Sequence, residues 1–222
     1  MLKNFMGRSA LTYALSIGIL LSLVTLGGAA RTYHLPDNHQ DYEPAQPIAF
    51  SHRLHAGELA IDCQYCHIGA DESRHAGIPA PSICMNCHKF VTAPIGAIRA
   101  EDKKAEEEQR SPEPVMSAEL AKLYDAMGLD EACEPLADKQ AEGIAWVKIH
   151  NLPDYVYFDH RPHVTAGVDC QTCHGSVESM ERMRQVESLS MGWCVGCHRE
   201  ANRVGVKGKP VNASIDCTSC HY

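Results

Sequence analysis

Polar residues disappear from the chain almost at once. Lys3 and Arg8 precede an uncharged run of 21 residues, Ala10 to Ala30, which Arg31 closes. At the rise of a helix such a run just spans a hydrocarbon core, so residues 1–31 are expected to form an N-terminal transmembrane helix. Its positive flank places that end in the cytoplasm and all that follows on the periplasmic side of the inner membrane. Gly28-Ala29-Ala30 would also serve as a signal-peptide cleavage site, but the apolar run is long for a leader. Residues 32–49, with Pro36, Pro44 and Pro47, read as an extended linker. A second apolar pattern, Leu120, Leu123, Tyr124 and Met127, predicts a short helix over 117–128.

The rest of the chain is written twice. Phe50-Ser51-His52-Arg53-Leu54-His55 returns as Phe158-Asp159-His160-Arg161-Pro162-His163, and Asp62-Cys63-Gln64-Tyr65-Cys66-His67 as Asp169-Cys170-Gln171-Thr172-Cys173-His174. A second Cys-x-x-Cys-His follows in each copy, ending at His88 and at His198, and the second copy adds a third, ending at His221. Matching sequence and order mark an internal repeat. The expected organisation is a two-motif unit at 50–98 and a three-motif unit at 150–222 around an insertion at 99–149.

Charge is concentrated in that insertion. Residues 99–142 hold 13 acidic against 6 basic side chains, a net of −7 within a whole-chain charge of −8. A solvated segment is the plain reading and a docking surface for another subunit the sharper one. Nothing basic points to nucleic acid, and no Gly-rich phosphate loop occurs. Aromatic residues make up only 6% of the chain, beside 11 cysteines and 13 histidines, so side chains alone supply little bulk for a core. A mainly α-helical and irregular domain is expected, with strands minor or absent and the core filled by a large apolar group.

The cysteines say which group. Ten of the eleven lie in five pairs, Cys63/Cys66, Cys84/Cys87, Cys170/Cys173, Cys194/Cys197 and Cys217/Cys220, leaving Cys133 as an unpaired, unreactive thiol. Each pair is followed at once by His67, His88, His174, His198 or His221. Two thiols three positions apart can bond the two vinyl groups of a haem, and the adjacent imidazole then binds its iron, so the cofactor expected is five haem c. Structural zinc also uses paired cysteines but does not call for a histidine straight after each pair. Haem attachment takes place outside the cytoplasm, in keeping with the expected orientation.

A low-spin iron needs a second axial ligand. Eight histidines remain, His34, His39, His52, His55, His75, His150, His160 and His163, and the duplicated His-x-x-His pairs ahead of each unit are the best donors.

Residues 158–198, with His160, His163 and two Cys-x-x-Cys-His motifs, resemble the trihaem c7 and tetrahaem c3 cytochromes. The resemblance implies His52 on the Cys63 haem, His55 on the Cys84 haem, His160 on the Cys170 haem and His163 on the Cys194 haem. Where the c7 pattern keeps a histidine for its last haem this chain has Met191. The fifth ligand is therefore open between Met191 and His150, with Met180, Met183 and His75 behind them. Most of the chain, from the anchor through His150-Asn151-Leu152-Pro153-Asp154 to the last motif, looks like the pentahaem cytochrome subunit of alternative complex III. That resemblance implies a haem subunit of a quinol:acceptor oxidoreductase. Its implied partners are an iron–sulfur subunit, a monohaem cytochrome c and polytopic quinol-binding subunits in a respiratory membrane. The chain itself would relay electrons without substrate catalysis. A quinol dehydrogenase-type anchor cytochrome feeding a periplasmic reductase is the alternative, and a multihaem reductase enzyme a further one. The latter needs an iron with an open position, whereas all five motifs end in histidine.

Overall fold

The computed structural model describes residues 2–32 and 38–222, with side chains given from Thr12 to Gly28 in the first segment and from Asn38 onward. His34 lies outside the described residues. Two compact units result, 1–38 and 39–222.

The first unit contains helix α1, Leu2–Thr32. Its described apolar side chains, among them Leu15, Ile19, Leu20 and Leu23, are all exposed. Among the described residues no helix is long and apolar enough to cross a membrane, so the spanning helix expected over 1–31 is not a feature of the described structure. The described side chains cover only part of the Ala10 to Ala30 run that prompted the expectation.

The second unit is built from short helices joined by irregular chain. A π-helix at Arg53–Glu58 is followed by α2 (Cys63–Cys66), α3 (Pro81–His88), α4 (Ile95–Glu107), α5 (Ala118–Met127), α6 (His160–Thr165), α7 (Gln171–His174) and α8 (Met191–Val204). Single 3-10 turns lie at Val177–Ser179 and Cys217–Ser219. Among the described residues there are isolated β-bridges but no strand.

Residues 39–49 are irregular, with a turn at Gln40 and Asp41, and they are fastened to the rest of the unit. Asp41 N–H donates to Gln185 O, Gln46 exchanges two hydrogen bonds with the Val147 backbone, and Ala49 N–H reaches Glu119 Oε2 at 2.6 Å. The insertion is likewise packed and not merely solvated. Ser117 Oγ caps α5 by accepting from Leu120 N–H, and Gly128 ends the helix in the left-handed conformation at φ 66°. Between these caps Leu123 and Tyr124 are buried against Met85 of α3, with Cys133 at the edge of the cluster. Tyr124 Oη also donates to His88 O at 2.9 Å, which ties the insertion to the second Cys-x-x-Cys-His.

That cluster is the largest apolar core in the described structure. Otherwise the side chains flanking the motifs, including Ile68, Phe90 and Ile215, lie more than half exposed.

Candidate haem sites

Each Cys-x-x-Cys pair occupies one turn of helix, which brings positions i and i+3 to the same side. Asp62 caps the first turn by accepting from Gln64 N–H, and Asp216 caps the last by accepting from Thr218 N–H. The second pair, Cys84 and Cys87, lies within α3, the third at the start of α7, and the fourth within α8, capped by Ser190. No two of the eleven cysteines are joined in a disulfide. Among the described residues no three His, Cys, Asp or Glu side chains gather as they would around a bare metal ion.

The motif treats its two thiols alike, and the structure does not. Cys87, Cys170, Cys197 and Cys217 are exposed, whereas Cys84, Cys173, Cys194 and Cys220 are half-buried. Only in the first pair are both thiols, Cys63 and Cys66, half-buried. In α3 the cause is visible. Cys84 packs against the cluster of Met85, Leu123 and Tyr124, and Cys87, one turn on, lies beyond its reach and faces outward. Cys87 is thus not enclosed by the polypeptide, contrary to what a shielded attachment site would require of the chain alone. A large apolar group bonded to both thiols would cover it.

The histidine rings are oriented by a common device. Nδ1 faces a backbone carbonyl in His67 (Gly77 O, 2.6 Å), His88 (Val91 O, 2.8 Å) and His198 (Ser214 O, 2.5 Å). The same holds upstream for His55 (Ser51 O, 2.8 Å), His160 (Arg74 O, 2.9 Å) and His163 (Asp159 O, 2.8 Å). An Nδ1–H fixed on a carbonyl leaves the lone pair on Nε2, the tautomer that binds a metal. His221 shows the device at a longer reach, 3.4 Å to Tyr155 O.

His174 departs from it. Its Nδ1 lies 3.1 Å from Nε2 of His150, ring against ring with centroids 4.4 Å apart. Burial, then His150 and His160 nearby, pushes the His174 pKa down to about 3, and burial with His160 holds His150 at about 4. Both rings are therefore neutral near pH 7. His150, an alternative ligand for the fifth haem, is placed beside the third motif instead.

Upstream histidines meet motif histidines in pairs. Ring centroids are 6.0 Å apart for His55 and His88, 6.4 Å for His160 and His174, and 5.9 Å for His163 and His198. Two imidazoles on opposite faces of one iron should have centroids about 6 Å apart, with metal–nitrogen bonds of about 2 Å. The donors present thus fit haem c. In both copies one phenylalanine sets the upstream pair. Phe50 lies 4.9 and 4.3 Å from the His52 and His55 rings, and Phe158 lies 4.9 Å from both the His160 and His163 rings.

His52 is the exception, with Nδ1 the one buried side-chain nitrogen or oxygen lacking a partner among the described residues. Its pKa falls to about 4 through burial and then through His67 and His55. The cause is a slip of register between the copies. Met180 O takes the amide of Arg53, whereas Arg74 O takes the amide of His160 itself.

The remaining candidates are scattered. Met191 opens α8 with 69% of its surface exposed, Met180 is buried against Gly175, Met183 is half-buried, and His75 is exposed. The last motif is held by Tyr157 N–H on Cys220 O (2.7 Å) and by the Val156–His221 bridge. Sequence reasoning missed Gln185, which is fully buried. It binds Asn151 N–H through Oε1 and Glu187 O through Nε2, and its backbone holds Asp41 and Tyr42, so it fixes the segment carrying His150. An isolated glutamine carries no periodic or motif signal that would have revealed this.

In a largely helical and irregular chain this donor set fits the attachment and ligation of several iron-bearing haem c groups. Residues 156–222 match the family of cytochrome c7 and related cytochrome c. The chain is also similar to the menaquinone reductase multihaem cytochrome c subunit of Nitratidesulfovibrio vulgaris, 24% identical over 196 residues that cover 79% of this chain and 76% of the relative.

Proposed function

We propose that the protein is a membrane-anchored cytochrome with five haems c, the electron-relaying subunit of a respiratory complex that exchanges electrons with the quinone pool. Haem iron supplies a one-electron couple, ferrous to ferric. The chain's own residues attach, orient and shield. The ten paired cysteines would hold the groups covalently, with His67, His88, His174, His198 and His221 as iron ligands through Nε2. His52, His55, His160 and His163 would be further iron ligands. The observation that carries this reading is the set of three ring pairs at 5.9–6.4 Å, each joining an upstream histidine to a motif histidine.

The relative's name supports a quinone-linked complex, and the order of anchor, two motifs, acidic insertion and three motifs supports the alternative complex III type. Its partners would be an iron–sulfur subunit, a monohaem cytochrome and polytopic quinol-binding subunits. The uncharged Ala10 to Ala30 run supports an inner-membrane anchor with the haem sites on the periplasmic side. Substrate chemistry on this chain would need an iron with an open position.

The test is a haem count with a ligand challenge. The reduced pyridine adduct should report five haems c per chain, and neither carbon monoxide nor cyanide should change the oxidised or reduced spectrum. A count of four or fewer ends the pentahaem reading, and a stoichiometric high-spin signal ends the relay reading.

A further inference from the structure

The two copies of the repeat face each other across reciprocal contacts. Arg53 N–H, at the upstream pair of the first copy, donates to Met180 O at 2.8 Å, just past the first motif of the second copy. His160 N–H, at the upstream pair of the second copy, donates to Arg74 O at 3.1 Å, just past the first motif of the first. Side chains repeat the exchange: Arg53 Nε and Ser51 Oγ both reach Glu181 at 2.9 Å, while Arg74 Nε reaches Phe158 O at 3.0 Å. The approach is close enough that a Cβ on Gly57 would come within 2.2 Å of Glu178 O. A surface that meets its own equivalent in this way is the intrachain form of an isologous interface. Such an interface joins like to like.

The remaining neighbours follow from the other contacts. Within the first copy, Asn86 of the second motif donates to Tyr65 Oη of the first at 3.1 Å, and the Cys66 and Cys84 thiols lie near one another. Across the interface Cys63 neighbours Cys170. In the second copy His160 and His163 stand one turn apart on α6, facing His174 and His198. Cys173 lies near Cys194 and Cys197, and the fourth motif is tied to the fifth by His198 Nδ1 on Ser214 O and by the exchange between Asn202 and Ala213.

We infer that the attachment sites form one line in the order Cys84, Cys63, Cys170, Cys194, Cys217, so that the relay crosses between the copies at the first and third motifs and ends at the second and fifth. This rests on the relay reading proposed above. Each transfer oxidises one site and reduces its neighbour by one electron, with no bond made or broken and no proton moved. The electron is supplied by a reduced partner at one end and taken by an oxidised partner at the other. An order along the sequence would instead put the Cys84 site second, between the Cys63 and Cys170 sites, and leave the Cys63 site at an end.

The two orders differ in neighbours, and spin–spin coupling between oxidised low-spin irons counts neighbours. In C63A/C66A two of the remaining electron paramagnetic resonance signals should change, those of the Cys84 and Cys170 sites. In C84A/C87A only one should change. Sequence order predicts the reverse, one and two, and that result overturns the inference. Pyridine adducts of the parent and of both variants should report five, four and four haems. A parent count other than five defeats the pentahaem reading rather than the order. If either deletion prevents folding, His52→Met and His55→Met keep the attachment cysteines. A thioether favours the ferrous state, so that iron can be reduced alone and its spin removed; two partners should then change for His52→Met and one for His55→Met, with the reverse again overturning the order.

Discussion

Phe50 and Phe158 show how much one side chain settles in a protein of this kind. Each lies against both rings of its His-x-x-His pair, so one side chain sets the angle between two candidate ligands. The duplicated Phe-x-His-x-x-His was legible in the sequence for that reason, since the repeat unit is also the unit of contact. The role of His150 was not. From the sequence it was a spare histidine free to serve the fifth motif, and only tertiary packing, through Gln185 and Asn151, turns its Nε2 toward His174. In the proposed holoprotein His174 would donate Nδ1–H to an imidazole where the other motif histidines use a carbonyl, and such partners tune the basicity of a metal-bound imidazole. His150→Leu should therefore move one of the five midpoint potentials while all five haems stay low-spin and six-coordinate. The shift should be up to about 59 mV, a tenfold change in a one-electron equilibrium. A high-spin haem in that variant would make His150 an iron ligand after all. Met191, exposed at the start of α8, is proposed for the fifth iron. A thioether favours the ferrous state, so Met191→His should lower the highest of the five potentials, and an unchanged titration would remove Met191 from the site.

Among the elements, α5 was readable and its surroundings were not. Four apolar residues at helical spacing between a serine and a glycine predicted 117–128, and the helix runs Ala118–Met127 with those two residues as its caps. Ser117→Ala should cost about 1 kcal/mol in thermal unfolding of the haem-loaded protein. The acidic stretch before α5, read as a solvated segment or a docking surface, is internally braced. Glu101 on α4 accepts from Arg110 Nη1 at 2.6 Å and from Glu113 N–H at 2.9 Å, which closes the loop after the helix. Arg110 first, and then the Glu113 amide, hold the Glu101 pKa down at about 2. A depressed carboxylate stabilises the fold above its unfolded pKa, near 4.3, and loses that contribution as pH falls toward the folded value. The wild type should thus melt higher than Glu101→Gln at pH 6, and the gap should close between about pH 4.3 and 2. Equal melting temperatures at pH 6 would mean the pair contributes nothing. The π-helix at Arg53–Glu58 had no signal in the sequence, because its counterpart α6 comes from nearly the same residues. The difference lies in the one-residue slip that gives Met180 O to Arg53 rather than to His52.

For the molecule as a whole the decisive quantity is how little apolar surface the second unit buries by itself. Its buried hydrophobic residues are Ala70, Met85, Ala93, Ala105, Leu123, Tyr124 and Met180, three of them alanines, and only Met85, Leu123 and Tyr124 form a cluster. In the proposed holoprotein covalently held haems would supply the rest of the core, as a structural metal does in a small domain that is unfolded without it. This explains why composition was informative here: a shortage of aromatic bulk beside a surplus of Cys and His is what a chain looks like when its core is not made of amino acids. The chain expressed without haem attachment should consequently be cut quickly by a nonspecific protease over 39–80 and 150–222, with far-UV dichroism well short of the haem-loaded form. Protection, if any, should survive only around 81–128, where α3 and α5 share the Met85, Leu123 and Tyr124 cluster. Matching digestion patterns for the haem-free and haem-loaded chains would show that polypeptide packing alone holds this fold, and the haems would then be passengers on it rather than its core.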